Sequence, residues 1–218
     1  MKKIICLLVL FLFACGNIFA DNLSHQDGEW NAGLSIKTST PGLGTDWGEF
    51  NVEDETSHIC HDAKPGTTSI GYDLQVLYFI TDRVALGVSV GDEYFDYDVT
   101  SGLEMDVDTR VNNYMLVGRI FLTPQSKYKL YIPLGVGLGH VMSEIDMSPD
   151  EHFHYTGFAG NIGIGVERLL SQNWGLAAEL RYNYNKFHNT QVNAHGHKIY
   201  VYPSLNYISF SIRIDRRF

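Results

Sequence analysis

Nine histidines carry much of the candidate chemistry of this chain. His58, Cys60 and His61 form one group, His152 and His154 a second, and His195 and His197 a third. Imidazole and thiolate ligate zinc and copper, so each group is a candidate metal site. None of the spacings reproduces a closed structural zinc site, and no resident metal or cofactor is expected. His140, Ser143 and Glu144 supply a base, a nucleophile and an acidic partner. In a strand, residues three apart point to opposite faces, so His140 would turn away from Ser143, and no reaction is expected there. Carboxylates gather at Asp92, Glu93, Asp96, Asp98, Glu104, Asp106 and Asp108, with no lysine or arginine before Arg110, and again at Glu49, Glu53, Asp54, Glu55 and Asp62. Oxygen-rich clusters can hold calcium. Neither run fits an EF-hand, and both suit a solvated, self-repelling surface.

What these residues can do depends on the elements that carry them. From Asn206 to Phe218 the chain alternates: Ile208, Phe210, Ile212, Ile214 and Phe218 project to one side of a strand, and Tyr207, Ser209, Ser211, Arg213, Asp215 and Arg217 to the other. Similar alternation predicts strands near 29–38, 68–80, 84–91, 111–122, 129–141, 156–169, 174–185 and 204–218, about eight in all. Long connections, 39–67, 92–110, 142–155 and 186–203, alternate with the short links Thr81-Asp82-Arg83, Thr123 to Tyr128 and Ser171-Gln172-Asn173. In a chain of antiparallel strands this places every long connection at one end, the asymmetry of an outer-membrane barrel with short periplasmic turns.

The apolar rows, such as Trp30, Ala32, Leu34 and Ile36 or Leu130, Ile132, Leu134, Val136 and Leu138, are expected to meet lipid, with Trp30, Tyr78, Tyr114, Trp174 and Tyr184 at the interfaces. The opposite rows carry Asp73, Gln75, Arg119, Asn161, Glu167, Glu179, Arg181, Asn183 and Arg213, together with Gly135, Gly137, Gly139, Gly163 and Gly165. Charges enclosed in a narrow barrel must be paired, so Glu167 and Glu179 are expected to meet Arg119, Arg181 or Arg213, leaving a plugged interior. Pro133 cannot donate to a ladder and is expected at a bulge or near the turn-proximal end of its strand. A soluble lipocalin-like barrel is the architectural rival, and it would reverse the faces.

Lys2 and Lys3 precede an apolar run from Ile4 to Phe13, and Ile18-Phe19-Ala20 follows, the layout of a signal peptide over residues 1–20. Leu12-Phe13-Ala14-Cys15 is a second reading, a lipoprotein box with Cys15 lipidated. Removal of 1–20 takes the formal charge from −9 to −11 and leaves Cys60 without a partner for an internal disulfide. Such an acidic chain is not a nucleic-acid binder.

The signal peptide, the alternating strands, the segment Tyr131-Ile132-Pro133-Leu134-Gly135-Val136-Gly137-Leu138-Gly139 and the final strand ending in Phe218 resemble the small outer-membrane β-barrel proteins, the group that includes the OmpA-type transmembrane domain. The resemblance implies an all-β, closed antiparallel barrel over 21–218 in the outer membrane of a Gram-negative bacterium, with no periplasmic domain after it. It also implies recognition of Phe210, Ile212, Ile214 and Phe218 by the barrel-assembly machinery, although Arg216 departs from the usual apolar residue. The expected role is structural or surface-interacting, with lipid, lipopolysaccharide and an extracellular ligand at the loops as partners. A small porin-like channel and a lipid A-modifying enzyme are the alternatives.

Overall fold

The computed structural model describes residues 25–41, 51–54, 57–59, 69–100, 104–145, 152–187, 190–194, 197–201 and 204–218, of which 41, 51–54, 57–59, 96–100, 104–108, 143–145, 152–153, 190–194 and 197–201 are described by backbone alone. The signal segment 1–20, Cys15, Cys60, His61 and His195 lie outside the described residues.

Eight long strands close a barrel. They are β1 (Trp30–Pro41), β4 (Ser69–Phe79), β5 (Val84–Thr100), β6 (Glu104–Phe121), β7 (Lys129–Ile145), β8 (His152–Leu169), β9 (Trp174–Phe187) and β12 (Ser204–Arg217). Each pairs antiparallel with its sequence neighbour in the wall, and β12 closes on β1, from Asn31 opposite Arg217 to Pro41 opposite Tyr207. All eight expected strands are present. Every register sets odd-numbered residues against odd-numbered ones, as in Gly33 opposite both Gln75 and Asp215. The lumen therefore receives the odd residues of all eight strands, while the even ones face outward.

Exposure settles the rival architectures. Ile36 is 68% exposed, Leu86 52% and Ile164 66%, whereas Arg119, Glu167 and Arg213 are 1% exposed or less. A soluble barrel would have those faces the other way round. The apolar rows form the outer wall, and Trp30 and Tyr78 meet at 5.0 Å between ring centroids at the short-turn rim.

The acidic segment 92–110 differs from its expected place in a loop. Strands β5 and β6 continue through it in one unbroken register from Val84 opposite Ile120 to Thr100 opposite Glu104. A membrane crossing takes roughly 9 to 11 residues, so strands of 17 and 18 residues project as a hairpin beyond the bilayer. Residues 142–145 and 152–155 likewise extend β7 and β8. The alternation itself continues, with Phe95, Tyr97, Val99, Met105 and Val107 at the odd positions, but above the membrane the outward parity meets water and carries carboxylates where lipid-facing strands carry apolar residues. The outer connections also hold four short strands, β2 (Asn51–Asp54), β3 (Ser57–Ile59), β10 (Thr190–Ala194) and β11 (His197–Val201), paired in the order β10-β11-β2-β3.

Pro133 lies five residues into β7, towards the short turn. The ladder to β8 is interrupted at Ile132 and Pro133 and resumes at Leu134 in the same register. The missing donor is accommodated by a gap in pairing, with no bulge.

Candidate functional site: the closed lumen

The periplasmic mouth is filled by residues that precede the first strand. Gly28 takes a left-handed φ of 84°, a conformation glycine adopts without penalty. The turn it allows is pinned to the end of β4, with Gly28 N donating to Phe79 O at 2.8 Å and Phe79 N to Glu29 O at 2.9 Å. His25 is thereby carried into the barrel, 2% exposed, its ring stacked on Phe79 at 4.0 Å and tilted against Phe121 at 5.0 Å. Its Nδ1 lies 3.3 Å from Glu29 Oε1 and its Nε2 3.1 Å from Glu167 Oε1. Arg217 pairs with Glu29 in turn. Burial alone would lower the imidazole pKa, but the Glu167 and Glu29 carboxylates outweigh it and raise it above its ordinary value. Burial would lift Glu29, yet hydrogen bonds from Arg217 and His25 bring it down to about 2.

Next inward is an ion network. Arg213 Nε donates to both carboxylate oxygens of Asp215 at 2.9 Å, one terminal nitrogen donates to Glu179, and the other to the Tyr131 hydroxyl at 3.0 Å. Tyr131 donates to Glu179 Oε1 at 2.5 Å. Arg181 also pairs with Glu179 and lies 3.9 Å from Asp73. Arg119 sits between Glu167 at 3.8 Å and Asp215 at 3.7 Å, its guanidinium 5.4 Å from the Tyr131 ring centre. The expected partners of Glu167 and Glu179 are thus present, and sharing guanidiniums between carboxylates balances charge in a space without bulk water.

Glycine makes the network possible. A Cβ on Gly165 would fall 2.3 Å from the Tyr131 ring, so the bare backbone of β8 is what lets the ring lie across the lumen towards Glu179.

Above the ions, a polar cavity bordered by Ser35, Asn113, Asn161, Asn183 and Ser209 leaves about 20 Å³ of free space. That volume holds one or two water molecules and no larger solute. Towards the outside, Glu93 receives the Lys37 ammonium at 2.8 Å and the Ser69 hydroxyl at 2.8 Å, with Ser39 also donating to it. Phe95, Val111, Val141, Tyr155, Phe187, Leu205 and Tyr207 form an apolar cluster at this end.

The candidates singled out from the sequence fall elsewhere. His140 faces outward, its Nδ1 3.1 Å from Thr156 Oγ1 and its ring stacked at 5.7 Å on His154. The side chains of Ser143, Glu144 and His152 lie outside the described set. The backbone of His58 pairs with Glu53 and that of His197 with Ala194. Among the described residues no three histidine, cysteine, aspartate or glutamate side chains converge on a point a metal could occupy. The acidic run is split as well: Asp92 binds Arg110 on the outer face at 2.5 Å, while Glu93, one residue on, is enclosed in the lumen. The important residue that sequence reasoning passed over is His25. Its only local signal is the Asp27-Gly28 turn just ahead of Glu29 and Trp30.

Comparison with known proteins matches this architecture. The outer membrane protein OprG from Pseudomonas aeruginosa superposes with a TM-score of 0.62 at 13% identity, covering 91% of this chain and 99% of that one. AlkL in lipid bilayers gives 0.49 at 17% identity over 93% and 95% of the two chains, and Ail of Yersinia pestis 0.46 at 13% over 88% and 100%. At such identities the likeness concerns the fold. No curated protein matches in sequence. The model of the outer membrane protein beta-barrel domain, however, matches residues 7–212, and with the closed eight-stranded wall and outward apolar face it places the chain in that family, as a protein of the Gram-negative outer membrane.

Proposed function

We propose that the protein is a sealed outer-membrane anchor, exported by the segment 1–20, that projects its outward hairpins to partners outside the cell and catalyses no reaction. The observation that carries this reading is the continuous filling of the lumen, from His25 at one mouth through the Arg213–Glu179 network to the Phe95–Tyr207 cluster at the other. A path for solutes would need these groups to move apart, and each arginine that moved would take a cation away from a buried carboxylate. The hairpin of β5 and β6, with strands of 17 and 18 residues, is rich in carboxylates, which suits a cationic surface or a cation-bridged lipopolysaccharide layer as its partner. The alternating final strand is the segment on which the assembly machinery would act.

Conductance of refolded protein in planar bilayers tests the sealed barrel. No current steps above the bare membrane are expected. Reproducible steps would overturn the anchor reading in favour of a small channel.

A further inference from the structure

Arg216 breaks the apolar face of β12, at the even, lipid-facing parity and the short-turn rim. Among the described residues no carboxylate pairs with it. Its guanidinium instead lies 5.8 Å from the Trp174 ring centre and 5.1 Å from that of Phe218. Arg168 on β8 has the same even parity, is 4% exposed, and lies 5.4 Å over the Tyr128 ring while donating to its hydroxyl at 3.3 Å. Its Nε has no hydrogen-bond partner. The register places Arg168 beside Leu176 and Arg216 beside Trp174. The two guanidiniums therefore flank a single strand, β9.

Unpaired cations on a lipid-facing wall are costly, and this chain has acids to spare, 25 against 16 lysines and arginines. At the outer rim the same need is met internally, since Asp92 binds Arg110. At the inner rim no carboxylate among the described residues meets it. The exposed Arg216 is held by aromatic faces with its N–H donors open, and Arg168, enclosed beneath Tyr128, keeps a buried Nε without a partner, an arrangement suited to the oxygens of a phosphate. The exposed row Leu180 and Ile214 continues from this point towards the membrane centre, where acyl chains lie. We propose that the periplasmic rim over β8, β9 and β12 is a binding site for an anionic phospholipid, held by its phosphodiester between Arg216 and Arg168.

The test uses full-length protein carrying Trp30→Phe and Trp47→Phe, so that Trp174 reports alone. It is refolded into phosphatidylcholine vesicles containing brominated phosphatidylglycerol, or brominated phosphatidylcholine as reference, and fluorescence quenching is read. Roughly a fivefold preference for the anionic lipid at Trp174 is expected, falling towards none in Arg216→Gln and in molar salt, and partly retained in Arg216→Lys. Arg168→Gln should lower it as well, which keeps the test alive if Arg216→Gln does not refold, as judged by heat-modifiable gel migration. Equal quenching by the two lipids, or a preference unchanged in both glutamine variants, would overturn the proposal. So would displacement of the lipid by excess inorganic phosphate, since the site would then take the free anion.

Discussion

The two ends of the lumen are closed by different mixtures of forces. At the periplasmic end an ionic network, in which His25, Glu29, Arg217, Glu167, Arg119, Asp215, Arg213 and Glu179 each contact a group of opposite charge, is set against a buried apolar cluster that includes Phe79, Phe121 and Tyr131. At the outer end the seal is mostly apolar, Phe95 meeting Tyr207 edge-on at 5.2 Å within a cluster of seven side chains. An ionic seal is intolerant of partial loss, because removal of one member strands another. An apolar seal degrades gradually as contacts and area are lost. The floor therefore fixes the barrel's internal geometry, and the roof is the end better able to accept variation.

Substitution at each end breaks or sharpens this contrast. Arg213→Ala leaves Glu179 and Asp215 buried beside fewer cations and should cost about 3 to 5 kcal/mol, read as a lower urea midpoint for unfolding from vesicles. Phe95→Ala leaves a space near the mouth that water can enter and should cost up to about 3 kcal/mol. A larger loss from Phe95→Ala than from Arg213→Ala would reverse the assignment of the rigid end.

How far this was legible in the sequence follows from the same physics. Within the membrane one face of each strand must meet lipid, so alternation from Trp30 to Ile36 and from Ile208 to Ile214 revealed the strands and the inward charges together. Because the lumen is narrow, Glu167 and Glu179 could be assigned to a short list of arginines without knowing the register. Outside the membrane the outward face meets water and the pattern inverts. Asp96 opposite Asp108 and Asp98 opposite Asp106 put acids at the outward parity, while Tyr97 opposite Val107 and Val99 opposite Met105 keep an apolar alternation at the other; the density of carboxylates masked that alternation, and the β5–β6 hairpin read as a loop. His25 was hidden for a related reason: it belongs to no strand, and its position depends on Gly28, Phe79 and Glu167, which lie far apart along the chain.

The ionic floor also depends on space, which a smaller change can probe. Gly165→Ala drives a methyl group into the Tyr131 ring, itself 1% exposed. The ring cannot withdraw without loosening its bonds to Glu179 and Arg213, so overpacking of about 1 to 3 kcal/mol is expected. A Tyr131→Phe background sharpens the point. There the ring has no hydroxyl to hold in place, and the penalty of the added methyl should shrink. An equal penalty in both backgrounds would show that the hydroxyl contacts do not govern the fit.

The smallest effect should come from the plug itself, and its sign with pH follows from the two shifts. His25 has a raised pKa, so its contribution is complete below the ordinary imidazole value and is lost as pH rises through the folded one. Glu29 is lowered to about 2, so its contribution is present above the ordinary carboxylate value and fades as pH falls towards about 2. The plug is therefore best seated in mildly acidic solution, between those limits. Hydrogen exchange of the Gly28 and Phe79 amides, which bind the turn to β4, measures this directly: protection should pass through a maximum and decline on both sides. His25→Ala should remove the alkaline decline and Glu29→Gln the acid one, while Arg213→Ala, acting deeper in the lumen, lowers protection without moving the maximum. A profile that stays flat in the unaltered protein would separate the plug from the ionic floor and leave stacking of His25 on Phe79 and Phe121 as its main support.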